Sequence, residues 1–335
     1  MLGIYINTHG FKFRKTTPLY ASLLYVPIII SLINKQIVFW PEYFLLSSFP
    51  LFLYQTNYYF LKEKPERINQ LLLMVVIITV IASYKTIIIS NLLDDLGLNW
   101  QTNWGNVLAA CLPFVFLIKK QSYQIIFLLF LAIFIMIGLK RTGMISLIIS
   151  IFAMLVFKSE DGNIHHSLTR VMISIIILFT VSAYLFNNYS IEMFDRSMHR
   201  VDNLAVDGGS GRKEIYLDGI SSYKTSVPVP NRIIGFGYGG FTGHSGRHVE
   251  AAHNDILDFA YNYGIFAVFL LLIYYIRLMY ILIITWWKCN KYYPFIFSSI
   301  LIFFTFGNIS SLYHYFVFFI PLIICLAIVE TLVHE

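Results

Sequence analysis

The stretch ILDFAYNYGIFAVFLLLIYYIRLMYILIITW, residues 256–286, carries just two charged side chains, Asp258 and Arg277. A membrane-spanning helix needs about 20 mainly apolar residues, within a working range of roughly 17–25. This run is therefore long enough for a crossing preceded by an interfacial stretch. The rest of the 335-residue chain has the same character: 58% of residues are hydrophobic, 13% are charged and the mean hydropathy is +0.69. Soluble chains carry roughly 45–50% apolar and about 25% charged residues. The composition therefore reads as a membrane protein and excludes disorder, coiled coil and collagen. Three cysteines, Cys111, Cys289 and Cys325, are too few for a disulfide-built secreted module and form no metal knuckle.

Cutting the chain at its polar gaps gives ten apolar segments, near 18–34, 37–61, 70–90, 98–118, 122–139, 142–157, 171–187, 256–286, 294–310 and 312–333. The segment at 142–157 is short for a span. The expected fold is all-α, a polytopic membrane protein of about 10 transmembrane helices with one large extracytoplasmic loop. Its parts are 1–187 with about seven helices, the loop 188–255, and 256–335 with about three more. Lys12, Arg14 and Lys15 precede a full-length apolar run without a small-residue cleavage pattern, so the first helix is expected to stay.

Every second gap is basic: Lys12, Arg14 and Lys15; Lys62, Lys64 and Arg67; Lys119 and Lys120; Lys158 and Arg170; Lys288 and Lys291. Cytoplasmic loops carry the excess of Lys and Arg, so these gaps and both termini are expected inside. The net charge of +6 is thereby assigned to membrane orientation, and no nucleic-acid partner is expected. Residues 188–255 then lie outside. Lys140 and Arg141 fall on that same outer side, against the rule.

The long loop concentrates functional groups that the apolar segments lack. It holds Arg196, Arg200, Arg212, Lys213, Lys224, Arg232 and Arg247, the histidines His199, His244, His248 and His253, and eight acidic residues. Five of its seven cations are Arg, the residue suited to bidentate phosphate binding; surface salt bridges are the plainer use of the same residues. Glycines cluster at Gly208-Gly209-Ser210-Gly211-Arg212 and Gly235-Phe236-Gly237-Tyr238-Gly239-Gly240. The second contains GxGxxG but lacks the strand-turn-helix setting of a dinucleotide site. Tight folding of the backbone, or its close approach to a ligand, explains it better. His244 and His248, with Glu250, His253 or Asp255 added, could be assembled into a divalent-metal site, yet the spacing matches no zinc signature. The competing reading makes His253 a lone acid/base or orienting residue at the membrane surface. No metal and no cofactor are assigned.

The order of Lys140-Arg141-Thr142-Gly143, Ser210-Gly211-Arg212, Gly235-x-Gly237, Ala252-His253-Asn254-Asp255-Ile256-Leu257 and Tyr263-Gly264-Ile265 resembles the O-antigen ligase and Wzy-type polysaccharide polymerase superfamily. The resemblance covers about 140–275. It implies an enzyme of the bacterial inner (cytoplasmic) membrane whose outer loop acts on sugars carried by polyprenyl (undecaprenyl) diphosphate. Carried over residue by residue, it implies Arg141, Arg212 and His253 as catalytic, and Gly211 and Asn254 as substrate-binding. Charge and position add Arg232, Arg247 and Lys140 to the substrate-binding set.

The chemistry fits that implication. Outside the cytoplasm a glycosyl donor must arrive activated through the membrane, and a lipid diphosphate does so. Arginines can neutralise the leaving diphosphate without a metal, and His253 can accept a proton from, or orient, the attacking hydroxyl. The expected activity is polymerisation of polyprenyl-diphosphate-linked repeat units, donor and acceptor alike, into O-antigen of lipopolysaccharide, capsule or exopolysaccharide. Membrane lipid, a chain-length regulator and a flippase are the expected partners. A ligase or protein O-oligosaccharyltransferase using the same donor is the nearest alternative. A flippase is the alternative of another class, though no internal repeat is evident and Lys85, Asp258 and Arg277 fall toward segment ends.

Overall fold

The computed structural model describes residues 17–34, 68–95, 104–137, 141–157, 212–245, 252–288, 291–309 and 320–333. All regular structure among them is helical: α1 (Thr17–Ile33), α2 (Ile68–Asp95), α3 (Trp104–Cys111) continuing as a 3₁₀ turn (Leu112–Leu117), α4 (Gln121–Ile137), α5 (Arg141–Phe157), α6 (Arg212–Thr225), α7 (Val229–Ile234), α8 (Gly240–His244), α9 (Asp255–Trp287), α10 (Tyr293–Ile309) and α11 (Ile320–Leu332). The expected segments 37–61 and 171–187 lie outside the described residues. Among the described residues two stretches are by themselves long and apolar enough to cross a bilayer, Ile68–Lys85 and Asp255–Trp287. The shorter apolar runs are Trp104–Leu117, Gln121–Met136, Thr142–Met154, Tyr293–Ile309 and Ile320–Leu332.

Local chemistry places the helix ends. α10 and α11 carry Pro294 and Pro321 as their second residues, where a missing N–H costs nothing. Polar side chains inside the apolar helices bond to their own backbone one turn back: Ser146 to Thr142, Ser150 to Ser146, Ser299 to Phe295 and Thr331 to Ala327, at 2.7 to 3.0 Å. Hydrocarbon offers no alternative partner, so this local satisfaction lets them stay.

α5 and α10 pack antiparallel. At one end Phe157 meets Trp286, Tyr293 and Phe297 with ring centroids 5.4, 4.8 and 4.9 Å away. Lys288 and Lys291 flank that aromatic end, and Lys119 and Lys120, between the 3₁₀ turn and α4, lie at the same end. At the opposite end the first turns of α3 and α5 are joined, Thr142 Oγ1 donating to Asn106 Oδ1 at 3.0 Å. Segment 212–245 and the start of α9 also sit there. The hydroxyl of Ser31, in the last turn of α1, accepts the Tyr238 N–H at 3.1 Å, and the Asn308 carbonyl, in the last turn of α10, accepts from Tyr216 at 3.4 Å.

The decisive element is α9, which is not one straight helix. Gly264 has φ +76° and ψ 178°, a conformation that breaks the helix and is essentially closed to other residues. A methyl group placed on Gly307 would come within 2.5 Å of the Tyr275 hydroxyl and 2.8 Å of Asp255 Oδ2, so these two side chains meet. Twenty residues of straight helix would hold them about 30 Å apart. α9 therefore folds back at Gly264 into a short arm, 255–263, and a long arm, 265–287. The expected interfacial lead-in is thus a returning arm that brings Asp255 down beside α10. Arg277, expected toward a segment end, lies midway along the long arm. Its guanidinium donates to both carboxylate oxygens of Glu330 in α11, Nε at 3.0 Å and Nη2 at 2.6 Å.

Candidate functional site

The break in α9 frees carbonyls that a continuous helix would have used, and the glycine cluster takes them up. Phe236 N–H donates to the Tyr261 carbonyl at 2.9 Å and Gly237 N–H to the Asn262 carbonyl at 2.7 Å. Such contact needs two backbones without intervening side chains. Gly235 has φ +74°, and a Cβ there would sit 2.3 Å from the Asn262 carbonyl oxygen; a Cβ on Gly264 would sit 2.1 Å from that of Ile233. Close backbone approach is thus the use of the GxGxxG stretch.

Around this seam segment 212–245 builds its own small core of Ile215, Val227, Phe241, Ala252 and Tyr261. The fully buried Tyr261 donates from its hydroxyl to the Gly219 carbonyl at 2.7 Å, and Asn262 Oδ1 accepts the Phe241 N–H at 3.0 Å. Both side chains come from the short arm of α9, so the loop is folded onto the helix that follows it.

His253 stands at the head of that arm with φ +56°, the one positive-φ residue other than glycine among the described residues. For an L-residue this backbone costs about 1–2 kcal/mol and persists because its neighbours are pinned. Asn254 caps α9, its side chain accepting the Leu257 N–H at 3.1 Å. Asp258 Oδ1 reaches back to the Ala252 N–H at 2.8 Å. The Tyr216 hydroxyl donates to the His253 carbonyl at 3.2 Å. Asp255 and Asp258, both buried, put negative charge at the positive end of the short arm.

Tyr216 was not singled out from the sequence, yet it links the candidates. It lies one turn along α6 from Arg212 and therefore on the same helix face. The Arg212 end of α6 is thereby brought to His253. Arg141, the first residue of α5, is at this end of the bundle as well, because α5 runs antiparallel to α10 and Asn308 of α10 shares Tyr216. Of Arg141 and Arg212 the backbone is described and the side chains are not; Lys140, Gly211, Arg247, His248 and Glu250 lie outside the described residues.

Arg232 is placed elsewhere. Its Nε donates to the Val227 carbonyl at 2.9 Å and its Nη2 to the Lys224 carbonyl at 2.7 Å, so it closes the far end of α6. From Arg212 to Lys224 the helix rises about 18 Å, more than one diphosphate spans. The Tyr223 hydroxyl donates to the Arg232 carbonyl at 3.0 Å. Burial pushes the Tyr223 phenol up from its ordinary range, against a downward pull from Arg232, and keeps it a donor. His244 stacks on Phe236 with centroids 3.7 Å apart. Among the described residues no three of His, Cys, Asp and Glu are grouped to hold a metal.

Residues 126–272 match the family model described as O-Antigen ligase (Wzy_C). That region begins within α4, takes in Arg141, Arg212 and His253, and ends within the long arm of α9. The match bears out the resemblance to the O-antigen ligase and Wzy superfamily read from the sequence. No curated protein matches the chain.

Proposed function

We propose that the protein is an extracytoplasmic glycosyltransferase that polymerises polyprenyl-diphosphate-linked oligosaccharide repeat units into a surface polysaccharide. The observation that supports this reading is that the start of α5 lies at the same end of the bundle, and within the matched region, as the Arg212 end of α6, which Tyr216 ties to the positive-φ backbone of His253.

In the reaction, a hydroxyl of one lipid-linked unit attacks the anomeric carbon of another. A new C–O bond forms, the bond from that carbon to the diphosphate breaks, and the polyprenyl diphosphate leaves with the electron pair. Arg141 and Arg212 meet its growing negative charge, and the His253 imidazole nitrogen takes the hydroxyl proton. Lys140, Gly211, Arg247 and Asn254 hold the substrates, Asn254 by fixing the helix start and His253 beside it. Arg232 contributes from the far end of α6, through the donors its two carbonyl contacts leave over.

The membrane is the bacterial cytoplasmic membrane, with both termini inside and the loop outside. Lys119, Lys120, Lys288 and Lys291 support this by lying at the end opposite the site. A chain-length regulator and a flippase work beside the enzyme. A second reading, transfer of finished glycan by a ligase with the same donor, is favoured by the description of the matched family. Transport has less support, because Arg277, the charge midway along the long arm, is held by both oxygens of a buried Glu330.

Replacing His253 or Arg141 by Ala in cells that make the polysaccharide tests the proposal through the glycan that accumulates. Single units reaching the final acceptor while long chains vanish is the result expected of a polymerase. Long chains stranded on the lipid carrier would make the protein a ligase. Normal chain-length distributions at normal protein levels would remove both residues from the mechanism.

A further inference from the structure

The outward side of α7 is apolar although the helix belongs to a loop segment. Val229, Ile233 and Ile234 are 63, 53 and 44% exposed, and Pro230 is exposed beside them. The polar residues of α7 turn the other way. Arg232 closes the end of α6 and the Asn231 side-chain amide donates to the Gly235 carbonyl at 3.3 Å.

The surface next to α7 is the long arm of α9. Ile265, Phe266, Phe269, Leu272, Ile273, Ile276, Tyr280 and Ile283 are exposed at helical spacing and form one stripe. In a spanning helix such a stripe faces lipid. It reaches the top of the arm at Gly264, on which the Ile233 carbonyl is packed, so the apolar residues of α7 stand beside the end of the stripe. Trp286 and Trp287, both exposed, mark the other end of the arm, where Trp is favoured at a membrane interface. From Trp286 to Ile265 the helix rises about 32 Å, against a hydrocarbon thickness of about 30 Å. With the tryptophans at one headgroup boundary, Gly264 and α7 stand at the other.

From this geometry we infer that α7 is an interfacial anchor: Val229, Pro230, Ile233 and Ile234 are seated in the acyl–headgroup boundary of the bilayer leaflet on the side of segment 212–254. The partner is the lipid surface itself. The anchor holds the Gly235–Gly264 seam at headgroup level. The inference is independent of glycosyl transfer and would stand for any activity of the protein.

The test is site-directed spin labelling of the full chain in phosphatidylcholine–phosphatidylglycerol vesicles, with Cys289→Ser as background, since Cys111 and Cys325 are buried. Nitroxides are attached at Ile233→Cys and Ile234→Cys, with Val229→Cys on the same face in reserve should either variant fail to fold. Collision with oxygen is expected to exceed collision with a water-soluble nickel chelate several-fold, as at a Phe269→Cys reference. Ser221→Cys on the exposed polar side of α6 should show the opposite order. Chelate collisions at 233 and 234 equal to those at 221 would place the face in water and overturn the inference. Protection from both reagents would mean that protein covers it and would overturn it equally.

Discussion

The helix bundle and segment 212–263 are held together in different ways. In the bundle, apolar side chains pack and several hydroxyls bond to their own helices, with Thr142–Asn106 and Arg277–Glu330 as polar links between helices, so cohesion is spread over many contacts. In segment 212–263 a small core of five buried side chains is supplemented by bonds between distant stretches of chain: Phe236 and Gly237 to the freed carbonyls of α9, Tyr261 to Gly219 and Asn262 to Phe241. Losing one methylene from the bundle loosens it locally, whereas losing one contact in the segment opens a seam. The bundle supplies a scaffold, and the segment supplies geometry to one residue, His253.

The most forceful way to break the contrast is Gly264→Ala. The added methyl would meet the Ile233 carbonyl oxygen at 2.1 Å in a backbone conformation closed to alanine, and backbone cannot swing aside as a flexible side chain would. We expect a loss of more than about 4 kcal/mol, seen as a collapsed melting transition and low protein level in detergent. A comparable glycine change in an exposed helix interior has effects of about 1 kcal/mol. Ordinary stability of Gly264→Ala would show that the seam is not structural.

A smaller effect is expected within the bundle from Arg277→Ala. It leaves the Glu330 carboxylate buried without the guanidinium that holds it, a class of change that costs about 3–5 kcal/mol. Arg277→Met combined with Glu330→Leu should recover most of that loss, because the double variant leaves no orphan charge. If the double variant melts no higher than the single one, the bundle depends on this specific pair and the contrast drawn above weakens.

The smallest effect sharpens the comparison at the site. Tyr216→Phe removes one hydroxyl that donates to the His253 and Asn308 carbonyls, and should cost about 1 kcal/mol of stability. If the tether orients His253, chain extension should fall by about tenfold, more than the stability change accounts for, while chains already made are still attached normally. Unchanged chain length would reduce Tyr216 to a packing role.

Apolar helices were legible because hydrophobicity is additive along the chain: 142–157 and 294–310 appear as α5 and α10 to within a residue. The glycine cluster was legible as a place of tight folding or of close approach to a ligand, whereas it approaches backbone, since the freed carbonyls of Tyr261 and Asn262 exist only after α9 breaks. Asn254 was implied by the family resemblance and acts in the fold as a helix cap. Arg232 was picked for its charge and sits about 18 Å along α6 from Arg212, a separation set by the helix between them. Tyr216 carried no signal, being one tyrosine among 23.

By itself the sequence determined that the chain is helical and has a membrane protein's composition, where its polar gaps fall, and that five of its ten arginines and four of its nine histidines lie in one stretch, 188–255. Composition, periodicity and charge are local properties and survive reading one residue at a time. The tertiary structure alone decided that α9 turns back at Gly264, that Asp255 meets Tyr275 across Gly307, and that Tyr216 ties the Arg212 end of α6 to His253. These depend on pairings between residues 20 or more positions apart. No local pattern encodes such pairings, because their free energy arises only when both partners are already in place.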